Sequence, residues 1–411
     1  MSNYRWRICA LLFFATTINY IDRQVLGLLA PFLQKEIGWS EAEYGYIVMA
    51  FHTAYAIGLL ITGKLIDKFG VRLGLTVAMA IWSLAGMAHS MARSALGFGM
   101  ARFGLAFGES ANFPASIKTI AEWFPKKERA LATGIFNSGS NIGAIVAPVI
   151  VPLIALKYGW QWAFIITGSL GFIWLIFWLP LYRSPEKHPK VSPAELIHIK
   201  SDPEEPVQHI PWKKIIPYRQ TIGICLSRFI TDPVWWFFLY WLPKFLNSKY
   251  GLDISGIGIP LIIIYTAASF GSIGGGWLSS WFMKQGKSID FARKTTILIV
   301  GLMVLPIFFA SYTSHLWVSV LLISLATAAH QGWGANIFTI VSDIFPKNTV
   351  GSVIGLSGFC GAVGGMLFAP AVGLILQATG NYYIVFGIAS LAYLGAWLIL
   401  KIFIPRIEPL D

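Results

Sequence analysis

Asp22 and Arg23 stand side by side in the middle of an apolar run, Thr16 to Leu33. A charge at the centre of a bilayer-length helix costs about 2.5–3.5 kcal/mol on insertion scales, so it normally faces a partner or a water-filled cavity. Asp22 can gain and lose a proton, whereas Arg23 stays charged and can hold an anion. Helical spacing puts Asn19, Arg23 and Gly27 on one face, with Tyr20 beside it. A second constellation, Arg102, Ala106, Glu109 and Phe113, follows the same three- and four-residue spacing. Arg102 and Glu109 are then about 10 Å apart along the axis, too far to meet, and each needs another partner or water. A carboxyl in an apolar bundle is a candidate proton carrier. A permanent pair between Glu109 and an arginine, or between Asp22 and Arg23, that only fixes helix packing is the other reading of these residues.

The elements that must position these groups are membrane helices. Of 411 residues, 56% are hydrophobic and only 12% charged, and the mean hydropathy is +0.65, against about 25% charged in soluble domains. The net charge of +12 does not imply nucleic acid, because basic residues gather in the cytoplasmic loops of membrane proteins. Cys9, Cys225 and Cys360 all lie in apolar runs, which argues against a disulfide framework or a metal site. Arg5 and Arg7 precede an apolar run like a secretory signal, but it is too long, carries charge and lacks a cleavage site, so it is expected to be retained. The absence of Asn-x-Ser/Thr sequons points away from an extracellular glycoprotein.

At about 20 apolar residues per span, helices are expected near 7–33, 44–65, 73–91, 94–118, 130–156 and 160–181, then 218–247, 256–283, 294–312, 315–341, 350–377 and 382–404. The expected fold is an all-α membrane protein of twelve transmembrane helices in two six-helix bundles, 1–181 and 218–411. A polar, proline-rich linker, 182–217, joins them. With the N-terminus in the cytoplasm, Lys35, Arg93, Lys157, Lys244 and Lys249 fall on the far side. Arg23, Arg102, Lys118 and Arg228 lie within spans, and the rest of the 31 basic residues are cytoplasmic, Lys126, Lys127, Lys213, Lys214 and Lys347 among them. Both termini and the linker are therefore expected in the cytoplasm. The halves repeat: Phe124-Pro125-Lys126-Lys127, Gly134 and Gly143 match Phe345-Pro346-Lys347-Asn348, Gly355 and Gly364 at a shift of 221 residues. Parallel six-helix repeats are a transporter architecture, with substrate bound near the bilayer midplane.

Gly63-Lys64-Leu65-Ile66-Asp67-Lys68-Phe69-Gly70-Val71-Arg72 resembles the loop signature of the major facilitator superfamily, and Arg102-Phe103-Gly104 and Gly139 to Pro148 fit its further motifs. The signature departs from the family pattern at Lys68 and Val71, and its counterpart at 276–280 lacks the Asp. Asn19-Tyr20-Ile21-Asp22-Arg23, GESANFPA at 108–115, EWFPKKERA at 122–130 and RFITDPVWWFFLYWLPKFL at 228–246 resemble the anion:cation symporter family, nearest to bacterial hexuronate and galactonate-type transporters. That resemblance implies Asp22 and Glu109 as protonatable carboxylates, Arg23 and Arg102 as supports for anion binding and coupling, and Tyr20 and Tyr55 near the substrate. An arginine fork suits a carboxylate, and tyrosine hydroxyls suit sugar hydroxyls.

In the second half, Arg228 and Asp232 are four residues apart and are expected to pair, while Trp235 and Tyr240 could wall a sugar face. His330, Gln331 and Asn336 interrupt an apolar run, and His330 aligns with Glu109 under the repeat. They are candidate hydroxyl ligands, or else satisfied core residues. Asp67, Arg72, Glu122 and Arg129 are candidate gating residues, or a solvated charge run that only sets topology. The sequence contains no His-Glu-x-x-His, nucleophile elbow or phosphate loop, so an enzyme is not expected. The resemblance implies a transporter in the bacterial inner membrane that moves a sugar acid, a hexuronate such as glucuronate or galacturonate, with protons by alternating access. It would work as a monomer in the lipid bilayer, without cofactor or nucleic acid. Another organic anion, or a ligand sensor that does not transport, are the rival readings.

Overall fold

The computed structural model describes residues 3–201 and 215–410, and at 126, 127, 130, 347 and 348 the backbone alone. Every regular element among them is helical: α1 (Tyr4–Ile37), α2 (Glu41–Phe69), α3 (Val71–Ala88), α4 (Ala95–Glu109), α5 (Asn112–Trp123), α6 (Lys126–Tyr158), α7 (Trp160–Leu181), α8 (Pro193–Ile199), α9 (Arg219–Tyr250), α10 (Gly258–Lys284), α11 (Ile289–Val304), α12 (Leu316–Ile344), α13 (Lys347–Thr379) and α14 (Tyr383–Phe403), with three short 3-10 turns. Ten stretches among the described residues are long and apolar enough to cross a bilayer. α1 and the α4–α5 pair are not among them. In α1 the polar Asn19, Asp22, Arg23 and Gln24 dilute the hydropathy. The span expected at 94–118 is broken at Ser110 and Ala111 instead of running as one helix. Pro114 lacks the N–H that would bond the Ser110 carbonyl, which accepts from Thr62 Oγ1 instead (3.4 Å).

The chain divides into two compact units, Met1–Trp39 with Ala50–Pro206, and Ser40–Met49 with Val207–Asp411. The 221-residue repeat is visible in the elements: α6 at 126–158 maps onto α13 at 347–379, and 95–123 onto α12 at 316–344, which is unbroken. In the first unit α1 packs along α6 by way of glycine. A Cβ on Gly143 would sit 2.5 Å from the Thr17 carbonyl oxygen and 2.8 Å from Tyr20 Cβ, so only glycine permits this approach. α1 ends at Gly38, whose φ of 81° and N–H bond to the Gln34 carbonyl close the helix.

The linker expected over 182–217 is built against the first unit as far as it is described. Glu195, on α8 and fully buried, accepts from the N–H groups of Tyr4 and Arg5 (both 3.1 Å) and from Arg5 Nη1 (3.2 Å), capping the first turn of α1. Glu128 on α6 accepts from Arg5 Nε (2.8 Å) and pairs with His198 Nε2 (2.9 Å). Residues 202–214, including Lys213 and Lys214, and the side chains of Lys126, Lys127 and Lys347 lie outside the described residues.

In the second unit the first turns of α2 pack on α9 and α13. Glu41 pairs with Lys244 (2.6 Å), and Tyr44 donates to the Tyr240 carbonyl (2.7 Å). Arg293 joins Asp343 (2.8 Å) and Ser279, tying α11 to α12 and α10.

Candidate functional site

The charges singled out in the first unit come together where α1 meets α4. Asp22, Arg23, Arg102 and Glu109 are all buried, none more than 3% exposed. Glu109 Oε2 accepts from Arg23 Nε (2.9 Å) and Nη2 (2.8 Å), so this side of the guanidinium is occupied by a carboxylate of the chain itself. Arg23 Nη2 also donates to Asn19 Oδ1 one turn below (3.1 Å). Arg102, which cannot reach Glu109 along its own helix, donates from Nη2 to the Arg23 carbonyl (2.8 Å).

Around the Arg23 guanidinium three rings form a cage, Tyr20, Tyr55 and Phe51, with centroids at 4.8, 5.1 and 5.2 Å. Phe51 also lies 4.8 Å from the Arg102 guanidinium and so touches both cations. The sequence reading missed Phe51, although it sits one helical turn before Tyr55 and stacks on it (5.9 Å). It missed Thr167 on α7 as well, which approaches the Asp22 carboxylate without completing a well-directed hydrogen bond.

Among the described residues neither oxygen of Asp22, nor Oε1 of Glu109, has a hydrogen-bond partner. A buried carboxylate left unsatisfied is costly in its ionised form, and a proton removes most of that cost. The inventory is two arginines against two carboxyls: balanced when both are ionised, and two positive charges in excess when both are protonated.

In the second unit Arg228 pairs with Asp232 (2.8 Å) on the same helix and reaches Ser357 Oγ on α13 (3.2 Å). His330 occupies the repeat position of Glu109, and in place of an ion pair it makes a ring stack on Trp235 (5.0 Å, 6° between planes) and a 2.5 Å hydrogen bond to the Tyr393 hydroxyl. Tyr240 is buried and stacks with Trp236 (6.2 Å). Gln331 is half-buried on α12. Asn336 is turned to helix packing: its amide nitrogen donates to the carbonyls of Gly275 (3.0 Å) and Gly332 (2.9 Å).

Of the four candidate gating residues, Asp67 pairs with Lys118 (2.7 Å), Arg72 donates to the Leu179 carbonyl (2.6 Å) and Glu122 accepts from the Tyr182 hydroxyl (3.0 Å). Arg129 closes the end of α5, donating to the carbonyls of Phe124 (2.9 Å) and Ala121 (3.1 Å). All of these bonds lie inside the first unit.

Ionisable side chains held this deep among bilayer-length helices belong to proteins that pass charged solutes across the membrane, and the class is an integral membrane transporter. The pattern of the Major Facilitator Superfamily matches residues 12–369, and the chain belongs to that superfamily. It is 32% identical over 407 residues to the hexuronate transporter of Escherichia coli (strain K12), covering 97% of this chain and 94% of the relative. It is 29% identical over 417 residues to the probable galactarate/D-glucarate transporter of Bacillus subtilis (strain 168), covering 96% and 90%. The crystal structure of a D-xylose-proton symporter superposes with a TM-score of 0.78 at 16% identity, covering 99% of both chains, and shows the same fold.

Proposed function

We propose that this protein is a secondary active transporter that imports a monocarboxylate sugar acid, a hexuronate such as glucuronate or galacturonate, together with protons. The observation that carries the reading is the Arg23 fork closed by Glu109, with the partnerless Asp22 next to Arg23 in the chain. In the cycle, Asp22 and Glu109 take protons from the outer side, and neutral Glu109 releases Arg23. The freed fork binds the substrate carboxylate, while Arg102 on the Arg23 carbonyl holds the helix turn that presents it. Tyr20 and Tyr55, and in the second unit Trp235, Tyr240, His330 and Gln331, offer rings and polar groups to the hydroxyls and apolar faces of a sugar. Alternating access then exposes the substrate to the cytoplasm, where it leaves, the carboxyls lose their protons and the empty carrier returns.

The ten bilayer-length stretches, with α1 and the α4–α5 pair, support twelve spans in two six-helix halves, 1–181 and 218–411, joined by 182–217. Asp67, Arg72, Glu122 and Arg129 belong to the gating machinery at the cytoplasmic face. The protein works as a monomer in the bacterial inner membrane with both termini in the cytoplasm, and needs no cofactor beyond the proton gradient.

The relative named for hexuronate supports the substrate class, and the one named for galactarate and D-glucarate favours a second reading, a sugar diacid. The test is uptake of radiolabelled glucuronate into liposomes with and without an inward proton gradient, in competition with galacturonate, galactonate and galactarate. Accumulation abolished by a protonophore supports symport. Displacement by galactarate alone moves the substrate to the diacids, and binding without transport of any of them refutes the carrier.

A further inference from the structure

We infer that the first unit contains its own proton conduit, a row of water and hydroxyl groups along α5 that leads from Glu109 to Glu122. The inference rests on the proton-coupled reading above. The register of α1 against α4 and α5 is fixed by three contacts: Arg23 to Glu109, Thr16 to Asn112, where the amide donates to Oγ1 (3.1 Å), and Tyr4 to Trp123, with ring centroids 5.9 Å apart. The two stretches run antiparallel, and α5 buries Asn112, Ala115, Ser116, Thr119, Ile120 and Trp123 on one face.

Asn112 and Ser116 each keep a polar atom that protein does not satisfy, while Thr119 Oγ1 donates to the Ala115 carbonyl of its own helix (2.8 Å). Among the described residues, Glu109 Oε1, Asn112 Oδ1 and Ser116 Oγ are buried without a hydrogen-bond partner, as is Asn19 Nδ2 on the facing turn of α1. Buried polar atoms in this condition are satisfied by water, typically through two to four bonds per molecule. Positions 112, 116 and 119 of α5 are one turn apart, about 5–6 Å between side chains, and Glu109 stands just before them across the Ser110–Ala111 break. One water making two O–H···O bonds of about 2.8 Å spans such a step. Thr119, fully buried, lies beside the Tyr182 hydroxyl, which donates to Glu122 Oε2 (3.0 Å) on a half-exposed carboxylate.

In each transfer one O–H bond breaks as the next forms. The carboxyl proton of Glu109 passes to a water held by Asn112, whose amide orients the water but carries no proton. It continues through Ser116 Oγ and, once the Thr119 hydroxyl turns from the Ala115 carbonyl, through Thr119 Oγ1, each accepting one proton and releasing another, and through the Tyr182 hydroxyl to Glu122. The net change is a proton lost at Glu109 and gained at Glu122, which returns it to bulk solvent. Rotation of the hydroxyls resets the row.

The test uses the whole protein in liposomes holding a trapped pH dye. Two fluxes are compared: exchange of internal unlabelled for external labelled substrate, which needs no net proton movement, and gradient-driven net uptake with its accompanying acidification. Ser116→Ala, and independently Tyr182→Phe, slow net uptake and acidification by about tenfold or more, with exchange unchanged. Ser116→Thr, which restores the hydroxyl, behaves as wild type. Net uptake by Ser116→Ala at the wild-type rate, or an equal fall in exchange, overturns the conduit. Wild-type substrate uptake without any acidification overturns the symport reading instead.

Discussion

Replacing Glu109 by glutamine separates a switch from a strut. Glu109 Oε2 now takes two hydrogen bonds from the Arg23 fork, at 2.9 and 2.8 Å, in a fully buried setting. Arg23 stays charged, so glutamine keeps charge-assisted bonds of about 1.5–3 kcal/mol but brings no negative charge; a loss of about 0.5–1 kcal/mol at each of the two bonds makes it a weaker competitor for the fork by about 1–2 kcal/mol. A substrate anion that must displace residue 109 then binds about 5- to 30-fold more tightly to Glu109→Gln when the wild-type carboxyl is ionised. In wild type, affinity falls as pH rises and Glu109 ionises; in the variant that dependence flattens. Breaking a buried pair costs about 3–5 kcal/mol of stability, less here because the glutamine oxygen still accepts, so Tm falls. Substrate at 100 times its Kd restores about 2.7 kcal/mol, which shows that the variant is folded and competent. Calorimetric titration of purified protein between pH 5.5 and 8.5 is the assay. A variant with wild-type affinity and an unchanged pH slope refutes the competition and leaves Glu109 as a static strut between α1 and α4.

The remaining expectations follow from single contacts. Asp22→Asn, which keeps the shape and removes the titration, abolishes proton-driven accumulation but leaves counterflow, as measured in the same liposomes. Arg23→Lys replaces a planar fork by a point charge and weakens substrate binding by about 10-fold or more; unchanged affinity removes Arg23 from the anion site. Gly143→Ala forces a methyl against the Thr17 carbonyl and lowers stability by about 1–3 kcal/mol, read as a loss of Tm in detergent. Glu128 precedes the span that begins at Leu131, and although burial raises its carboxyl, the bonds from Arg5 and His198 outweigh that and hold it below its ordinary 4.5. A depressed folded-state value gives a contribution that is complete above 4.5 and is lost as pH falls through the lowered value. Hydrogen exchange in 182–201 therefore accelerates in that acid window, and does so without acid in Glu128→Gln.

Buried charge is the part of this site that the sequence reveals, because it is expensive and therefore conspicuous. Asp22 with Arg23, and Arg102 with Glu109, stand out for that reason, and the repeat of 221 residues is traceable because its glycines and prolines recur at fixed offsets. Partner identity is not legible in the same way. Helical spacing relates residues on one helix and is silent about which neighbour crosses it, so the bonds of Arg23 to Glu109 and of Arg102 to the Arg23 carbonyl needed coordinates. The break at Ser110 was available in principle from Pro114, four residues on, but a proline inside the apolar stretch 94–118 reads equally well as a tolerated kink. The segment 182–201 has the composition of a free linker. It docks because one carboxylate, Glu195, finds two N–H groups at the start of α1, a geometric fact invisible in composition. Asn336 had the chemistry of a sugar ligand, and the nearby carbonyls of Gly275 and Gly332 took its donors.

The repeat also indicates where coupling resides. Glu109 and His330 hold equivalent positions, yet the first makes an ion pair to Arg23 and the second a neutral ring stack on Trp235 with a hydrogen bond to Tyr393. The helices differ too: 95–123 is broken at Ser110 and Ala111, whereas its counterpart α12 is continuous. A proton gradient acts only on groups whose charge changes along the cycle. The first unit holds two carboxyls facing two arginines, with partnerless oxygens on both acids. In the second, Asp232 is bonded to Arg228 one turn away, which in turn is tied to Ser357. On the proposed cycle, proton sensitivity belongs to α1, α4 and α5, and the His330 position is left to vary with the sugar. His330→Gln, which keeps a polar group but loses the ring stack, changes the ranking among competing sugar acids and leaves the proton-to-substrate ratio as it was. A changed ratio would place part of the coupling in the second unit.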